Sequence, residues 1–162
     1  MPIDPNLYRQ VASCFASGVT IITSGEEGAY HGMTASAFTS LSLDPPMVLV
    51  CVDRGARTLG VIESSGFFNV NILAGDQEDV SRRFAKRSEP GEDGMRDTVY
   101  TLGKLGAPLI KGALAYFECR VALRYDGGDH VIFVGAVEGG EIDDEAEPLL
   151  YFQGKYRALS QP

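Results

Sequence analysis

The alternation between Tyr116 and Tyr125 restricts the fold more than any other stretch. Phe117, Cys119, Val121, Leu123 and Tyr125 fall on one face of an extended chain, and Glu118, Arg120, Ala122 and Arg124 on the other. That two-residue period is the mark of a strand with one buried face. Gly127-Gly128-Asp129-His130 then turns the chain into the apolar run Val131 to Val137. A connection this short joins antiparallel strands, because parallel neighbours need a crossover of about a dozen residues or more.

Other segments follow the same plan. Val19 to Thr23 is β-branched throughout and reads as a strand. Gly25-Glu26-Glu27-Gly28 is a hairpin turn, since both glycines tolerate positive φ, and Gly32 to Pro46 is the returning strand. Met47 to Val52 is apolar without alternation, as in a strand buried on both faces. In Phe67 to Leu73, Phe67, Asn69 and Asn71 alternate with Phe68, Val70 and Ile72, while Leu149 to Phe152 and Tyr156 to Leu159 close the chain. Leu102 to Ile110 shows no regular pattern.

Three helices are expected. Pro5 opens one whose apolar positions Leu7, Val11, Cys14 and Phe15 recur at helical spacing, ending at Gly18. Thr58 caps a second that runs to Ser65 and stops at Gly66. Asp76 caps a third, with Val80 and Phe84 facing inward. Its acids Glu78 and Asp79 come first, and Arg82, Arg83, Lys86 and Arg87 come last, opposing the macrodipole. Ser88 to Asp97 reads as a mobile surface loop and the acidic stretch Gly139 to Pro148 as a solvated one. About six or seven strands with no β-α-β alternation predict one antiparallel barrel domain over residues 1–162, with short helices at its ends.

Composition removes several classes of function. A net charge of −8 argues against nucleic acid, whose phosphates are met by Lys and Arg. No apolar run reaches membrane-spanning length, and Met1-Pro2-Ile3-Asp4-Pro5 lacks the basic and apolar regions of a signal peptide. Cys14, Cys51 and Cys119 lie far apart among apolar residues and read as buried free thiols of a cytoplasmic protein. His31 and His130 are the only histidines, with no zinc-ligand spacing, so no metal site is expected. Gly-x-Gly-x-x-Gly, the phosphate loop and Gly-x-Ser-x-Gly are all missing.

Four places can do more than pack. Thr34 to Ser42 carries five hydroxyl side chains. Such a strand is either a solvated edge or a small wall against which a flat polar ligand lies. Arg57 and Thr58 offer a guanidinium fork and a helix N-terminus to a phosphate, unless Arg57 is an ordinary surface arginine. Phe84 is either core or ring contact, and His130 follows a Gly-rich turn and is either structural or functional. None of these forms a nucleophile–base pair, so an enzyme built this way would rely on a cofactor for the chemistry.

In chain order, Phe15-Ala16-Ser17-Gly18-Val19-Thr20-Ile21-Ile22-Thr23, Gly32-Met33-Thr34-Ala35-Ser36-Ala37-Phe38-Thr39-Ser40-Leu41-Ser42-Leu43-Asp44-Pro45-Pro46, Phe68-Asn69-Val70-Asn71-Ile72-Leu73, Ser81-x-x-Phe84-Ala85, Gly128-Asp129-His130-x-Ile132-Phe133-Val134-Gly135 and Pro148-Leu149-Leu150-Tyr151-Phe152 with Gly154-x-Tyr156 closely resemble the flavin reductase family. The match covers nearly the whole chain and is most similar to the short reductase components of two-component flavin-dependent monooxygenases. The resemblance implies a mainly β fold, a six-stranded antiparallel Greek-key split barrel that binds FMN, and a homodimer. FAD is possible in place of FMN, and NADH or NADPH is the co-substrate.

On the same resemblance, Thr34, Ala35 and Ser36 meet the flavin ring and ribityl chain, and Ser40, Leu41 and Ser42 continue that wall. Cys51, Val52 and Asp53 line the end of the next strand, Arg57 and Thr58 hold the phosphate, and Phe84 shields the ring. His130 meets the nicotinamide nucleotide, with Tyr156 near the same mouth. Arg120, Arg124 and Arg157 are candidates for a 2′-phosphate. The implied activity is hydride transfer from the nicotinamide nucleotide to flavin, with reduced flavin leaving for a separate oxygenase component. The rival readings are a flavin- or haem-binding barrel without turnover, acting as carrier, sensor or electron-transfer protein, a purely structural barrel, and an oxidase of the pyridoxamine-phosphate type. The Gly-Asp-His and Ser-x-x-Phe-Ala signatures argue against the last.

Overall fold

The computed structural model describes residues 1–86 and 94–160. Among the described residues, twelve strands and three helices follow one another. Helix α1 (Pro5–Ser13) is followed by β1 (Ser17–Gly18), β2 (Thr20–Ser24), β3 (His31–Ala35), β4 (Phe38–Leu43) and β5 (Pro46–Asp53). Next come α2 (Arg57–Ser65), β6 (Phe67–Ile72), α3 (Glu78–Ala85), β7 (Tyr100–Leu102) and β8 (Pro108–Ile110). Two long strands, β9 (Ala115–Gly127) and β10 (His130–Ile142), precede β11 (Leu150–Phe152) and β12 (Lys155–Arg157).

The fold is mainly β, and every strand pair is antiparallel. The main sheet has seven strands in the order β3-β2-β6-β9-β10-β5-β4 rather than the six expected. The stretch Gly32 to Pro46, expected as one strand, is divided: it breaks at Ser36 and Ala37, so that β3 and β4 form the two edges of the sheet. Laid flat, seven strands would hold those edges about 29 Å apart. Two intervening residues bridge no more than about 11 Å, so the sheet curls until its edges approach. The crossing is fixed by the amide of Cys51, which donates to the carbonyl of Ala37 at 3.0 Å.

The main core fills this curl with Ile22, Val50, Val52, Ile62, Phe68 and Phe133. Strand β5 alternates after all: Val48, Val50 and Val52 are buried, while Met47, Leu49 and Cys51 are half-buried. The segment read as irregular is a two-stranded sheet, β7 with β8, which lies over the polar face of β6. That cover buries Asn69, Asn71 and Glu118. Asn69 Nδ2 donates to the carbonyls of Ala107 and Pro108, and Glu118 accepts from the amide of Leu105 at 3.3 Å. Strand β10 continues to Ile142, so the first part of the acidic stretch is ladder rather than loop. Residues 88–93 of the expected surface loop lie outside the described residues.

Asp4 caps α1 by accepting from the amides of Asn6 and Leu7. Its apolar stripe is uncovered, for α1 has no buried residue and Phe15 beyond it is 84% exposed. The outer half of β9 is uncovered as well, with Leu123 and Tyr125 exposed, as is Leu43 of β4. Cys14 is exposed and Cys51 half-buried, so only Cys119 is the buried thiol expected. Among the described residues no helix is long and apolar enough to cross a membrane.

Candidate active site

A cavity of about 300 Å³ opens where β3, the end of β5, the start of α2 and the end of α3 meet. That volume lies at the lower end of the range for small-molecule pockets, roughly 300–1,000 Å³. His31, Gly32, Met33 and Thr34 form one wall. Asp53, Gly55, Ala56, Arg57 and Thr58 form the opposite end, and Phe84, Ala85 and Lys86 the third side.

Each wall is fixed by identifiable bonds. Thr34 donates its hydroxyl to the carbonyl of Ser81 at 2.6 Å, tying β3 to α3. Asp53 accepts the amide of Gly55 at 2.6 Å, which shapes the turn into α2. The expected cap Thr58 is instead the second residue of α2. Ala56 stands at the N-cap without a side-chain bond. Thr58 is fully buried, and its hydroxyl lies 2.7 Å from Nδ1 of His31. Likewise Gln77, not Asp76, precedes α3 and provides no cap.

The donor set suits a phosphate. An uncapped helix start presents backbone N–H groups and the positive end of the macrodipole. Arg57 and Lys86 bring two cationic side chains to the same cavity. The opposite features suit a flat ring. Gly32 has no side chain and lies against Phe84, which is 5% exposed and packed with Val19, Ile21 and Leu73. An anionic group at one end and a planar aromatic at the other is the outline of a flavin mononucleotide, and these residues fit it.

The sequence matches the family model described as the flavin reductase like domain over residues 12–160. The chain belongs to this family. The domain is 43% identical over 161 residues to an NADH-dependent flavin reductase of a Rhodococcus species, covering 97% of this chain and 88% of the relative. It is also 43% identical to the reductase component of 4-hydroxyphenylacetate 3-monooxygenase from Thermus thermophilus, covering 96% and 97% of the two chains. The NADH:FAD oxidoreductase of Streptomyces globisporus, solved in complex with NAD and FAD fragments, superposes with a TM-score of 0.90 at 37% identity, covering 99% of this chain and 97% of that one.

Within this flavin reductase-like domain, the cavity gathers Thr34, Asp53, Arg57, Thr58 and Phe84 of the residues predicted from sequence. Ala35 is buried at the end of β3, where its carbonyl accepts from Thr20, and Ser36 is exposed at the break that follows. Ser40, Leu41 and Ser42 lie along β4, with Leu41 an extra residue in the ladder between Ser40 and Ser42. Cys51 and Val52 sit further back on β5, Val52 as core and Cys51 with its thiol pushed above its ordinary value by burial. These residues do not line the cavity.

His130 and Tyr156 are placed beside it. His130 is the register partner of Asp53, so the β9–β10 tip stands next to the end of β5. Its Nδ1 is 2.7 Å from Asp129, and this bond holds the Asp129 carboxyl below the usual carboxylate range. Tyr156 shares a 2.7 Å hydroxyl–hydroxyl bond with Ser81, and the Arg82 guanidinium lies 4.8 Å from its ring centre. Ser81 thus joins Tyr156 to Thr34. Of the arginines expected at a 2′-phosphate, Arg120 is paired with Glu138, and Arg124 with Glu63 and Asp126.

His31 and Lys86 line the cavity and were not among the predicted site residues. The signal for His31 was its place directly before Gly32-Met33-Thr34, and for Lys86 its place two residues after Phe84.

Proposed function

We propose that this chain is an NAD(P)H:flavin oxidoreductase that reduces FMN, or FAD, and passes the reduced flavin to a separate monooxygenase component. The observation that carries this reading is the cavity itself: a hydroxyl-bearing strand wall, an aromatic side and a cationic helix start converge on one space in a chain of the flavin reductase family. Bound flavin supplies the hydride-accepting chemistry, with NADH or NADPH as the donor.

The chain's own residues bind and orient. Arg57, Lys86 and the start of α2 hold the phosphate. Thr34 and Asp53 line the cavity along the flavin; Ala35 and Ser36 follow Thr34 beyond it, Ser40, Leu41 and Ser42 lie along β4, Cys51 lies further back on β5, and Val52 supports β5 from the core. Thr58, at the start of α2, braces His31 of β3, and Phe84 closes the ring end. His130 meets the nicotinamide nucleotide, and Tyr156 supports that mouth through Ser81. Rate then comes from proximity and orientation, with no side chain needed as general acid or base.

The working unit in this reading is a cytoplasmic homodimer of split Greek-key barrels. The exposed apolar side chains of α1, β4 and the outer half of β9 favour it, since such surface normally marks an interface. The test is oxidation of NADH and of NADPH by the purified chain, with and without added FMN or FAD. Turnover that requires added flavin and saturates with it is the expected result. Flavin binding without any nicotinamide oxidation would replace the reductase with a carrier.

A further inference from the structure

We propose that Arg54 is a positioning residue for the nicotinamide end of the site, acting through His130. The inference rests on the role given above to His130.

Arg54 follows Asp53 in the turn that leads to Arg57. From there it makes three bonds to the β9–β10 tip. Its amide donates to the carbonyl of Asp129 at 3.0 Å, its Nε to the carbonyl of Gly128 at 2.9 Å, and its Nη2 to Oδ1 of Asp126 at 2.7 Å. Two of these acceptors belong to the residues immediately before His130. The tip contains Gly127 and Gly128, and a glycine pair is the most permissive backbone available. The ladder already pairs His130 with Gly127 and Asp53, so the hold from Arg54 acts on the two turn residues, Gly128 and Asp129, and the Asp129 carboxylate is the group that bonds Nδ1 of His130.

The clamp extends further. Asp126 also accepts from Arg124 Nη1 at 3.3 Å, and Arg124 Nε donates to Glu63 on α2 at 2.9 Å. Glu63, Arg124, Asp126 and Arg54 therefore link helix α2, the tip bearing His130 and the turn bearing Arg57. The arrangement needs arginine in particular. A planar guanidinium can bond a carbonyl through Nε and a carboxylate through Nη2 at once, whereas one ammonium cannot reproduce that fork. The charged members are exposed, so the ion pairs alone add little to stability. Their consequence is expected in geometry more than in melting temperature.

The experiment is steady-state kinetics of the full chain with FMN and NADH for Arg54→Met, Arg54→Lys, Asp126→Asn, His130→Ala and the double variant Arg54→Met with His130→Ala. Arg54→Met is expected to raise the nicotinamide KM about threefold to tenfold while flavin affinity stays within about twofold. Arg54→Lys should recover part of the loss, and Asp126→Asn should reproduce part of it. In the His130→Ala background, Arg54→Met should add less than about twofold, because its effect passes through a residue already removed. An unchanged KM in Arg54→Met, or an undiminished effect in the double variant, overturns the proposal. If His130→Ala alone leaves the nicotinamide KM unchanged, the role of His130 falls and this inference falls with it. If His130→Ala raises KM while both Arg54→Met and Asp126→Asn do not, only the role of Arg54 falls. Should Arg54→Met fail to fold, Asp126→Asn tests the same contact from its other end.

Discussion

The ring of Phe84 lies so close to the backbone of Gly32 that a β-carbon added to the glycine would sit 2.8 Å from Cε1 of the ring. Gly94 presses on the same ring, with a built β-carbon again 2.8 Å away. Phe84 thus has little room to retreat, since it is 5% exposed within a cluster that includes Val19, Ile21 and Leu73. Gly32→Ala is therefore expected to lower stability by about 1–3 kcal/mol, the usual result of overpacking. The displaced ring should also weaken flavin binding. Urea unfolding and a flavin titration measure the two effects. A variant as stable as the parent would show that Phe84 yields easily and does not hold the cavity's shape.

The phosphate end makes a different demand. Arg57 lies at the uncapped start of α2, and a charge-assisted bond from it to phosphate is worth about 1.5–3 kcal/mol. Arg57→Ala should raise the dissociation constant for FMN about tenfold or more and leave riboflavin, which has no phosphate, nearly unchanged. Parallel fluorescence titrations with the two flavins decide the point. Equal losses for both would move Arg57 away from the phosphate.

These two ends were not equally legible in the sequence. Arg57 and Phe84 could be found from local pattern, because a helix start and an inward helix face are short-range features. The division of Gly32 to Pro46 could not. Nothing in Ser36-Ala37 announces that β3 and β4 belong to opposite sheet edges, since pairing partners are set by residues far away in sequence. The burial of Asn69, Asn71 and Glu118 was hidden for the same reason: alternation identifies two faces of a strand but not what later covers the polar one. The stripes on α1 and β9 were legible as apolar faces. Their exposure shows that amphipathic pattern reports an apolar face, not whether the rest of the fold covers it.

Thiol chemistry separates Cys14 from Cys119. Cys14 is exposed, whereas Cys119 is buried and its thiol is pushed up, by burial first and by Glu118 and Glu138 next, from its ordinary 9.0 to about 12. A thiol reagent at neutral pH should label Cys119 only on unfolding, and Cys14 wherever its face of α1 is not covered by a second copy of the chain. The same shift links stability to pH. Above pH 9 the unfolded chain ionises this thiol while the folded chain does not, so stability that is complete below pH 9 declines as pH rises toward 12. The loss is of the order of 4 kcal/mol at most. Cys119→Ala removes that dependence, and the stability gap between parent and variant should narrow between pH 9 and pH 11. A constant gap over that range would show that the thiol ionises at its ordinary value.

Asn71 ties the sheet to the hairpin that covers it. Its Oδ1 accepts from the amide of Ile110 at 2.8 Å, and its Nδ2 donates to the carbonyl of Ile21 at 3.0 Å and to the hydroxyl of Thr23 at 3.1 Å. Thr23 in turn donates to the carbonyl of Pro108 at 2.6 Å. Asn71 is fully buried, so Asn71→Leu strands the Ile110 amide without this partner and in the absence of water. Each buried group left unpaired costs about 1–3 kcal/mol, and the replacement should destabilise by about 3 kcal/mol overall. Because β7 and β8 are only three residues each, the loss should concentrate there. Amide exchange at Ile110 should accelerate more than exchange at Val131 or Phe133 in the main core. Uniform acceleration would mean that the hairpin opens only with the whole domain. Stability within about 0.5 kcal/mol of the parent would mean that the buried network adjusts around the leucine.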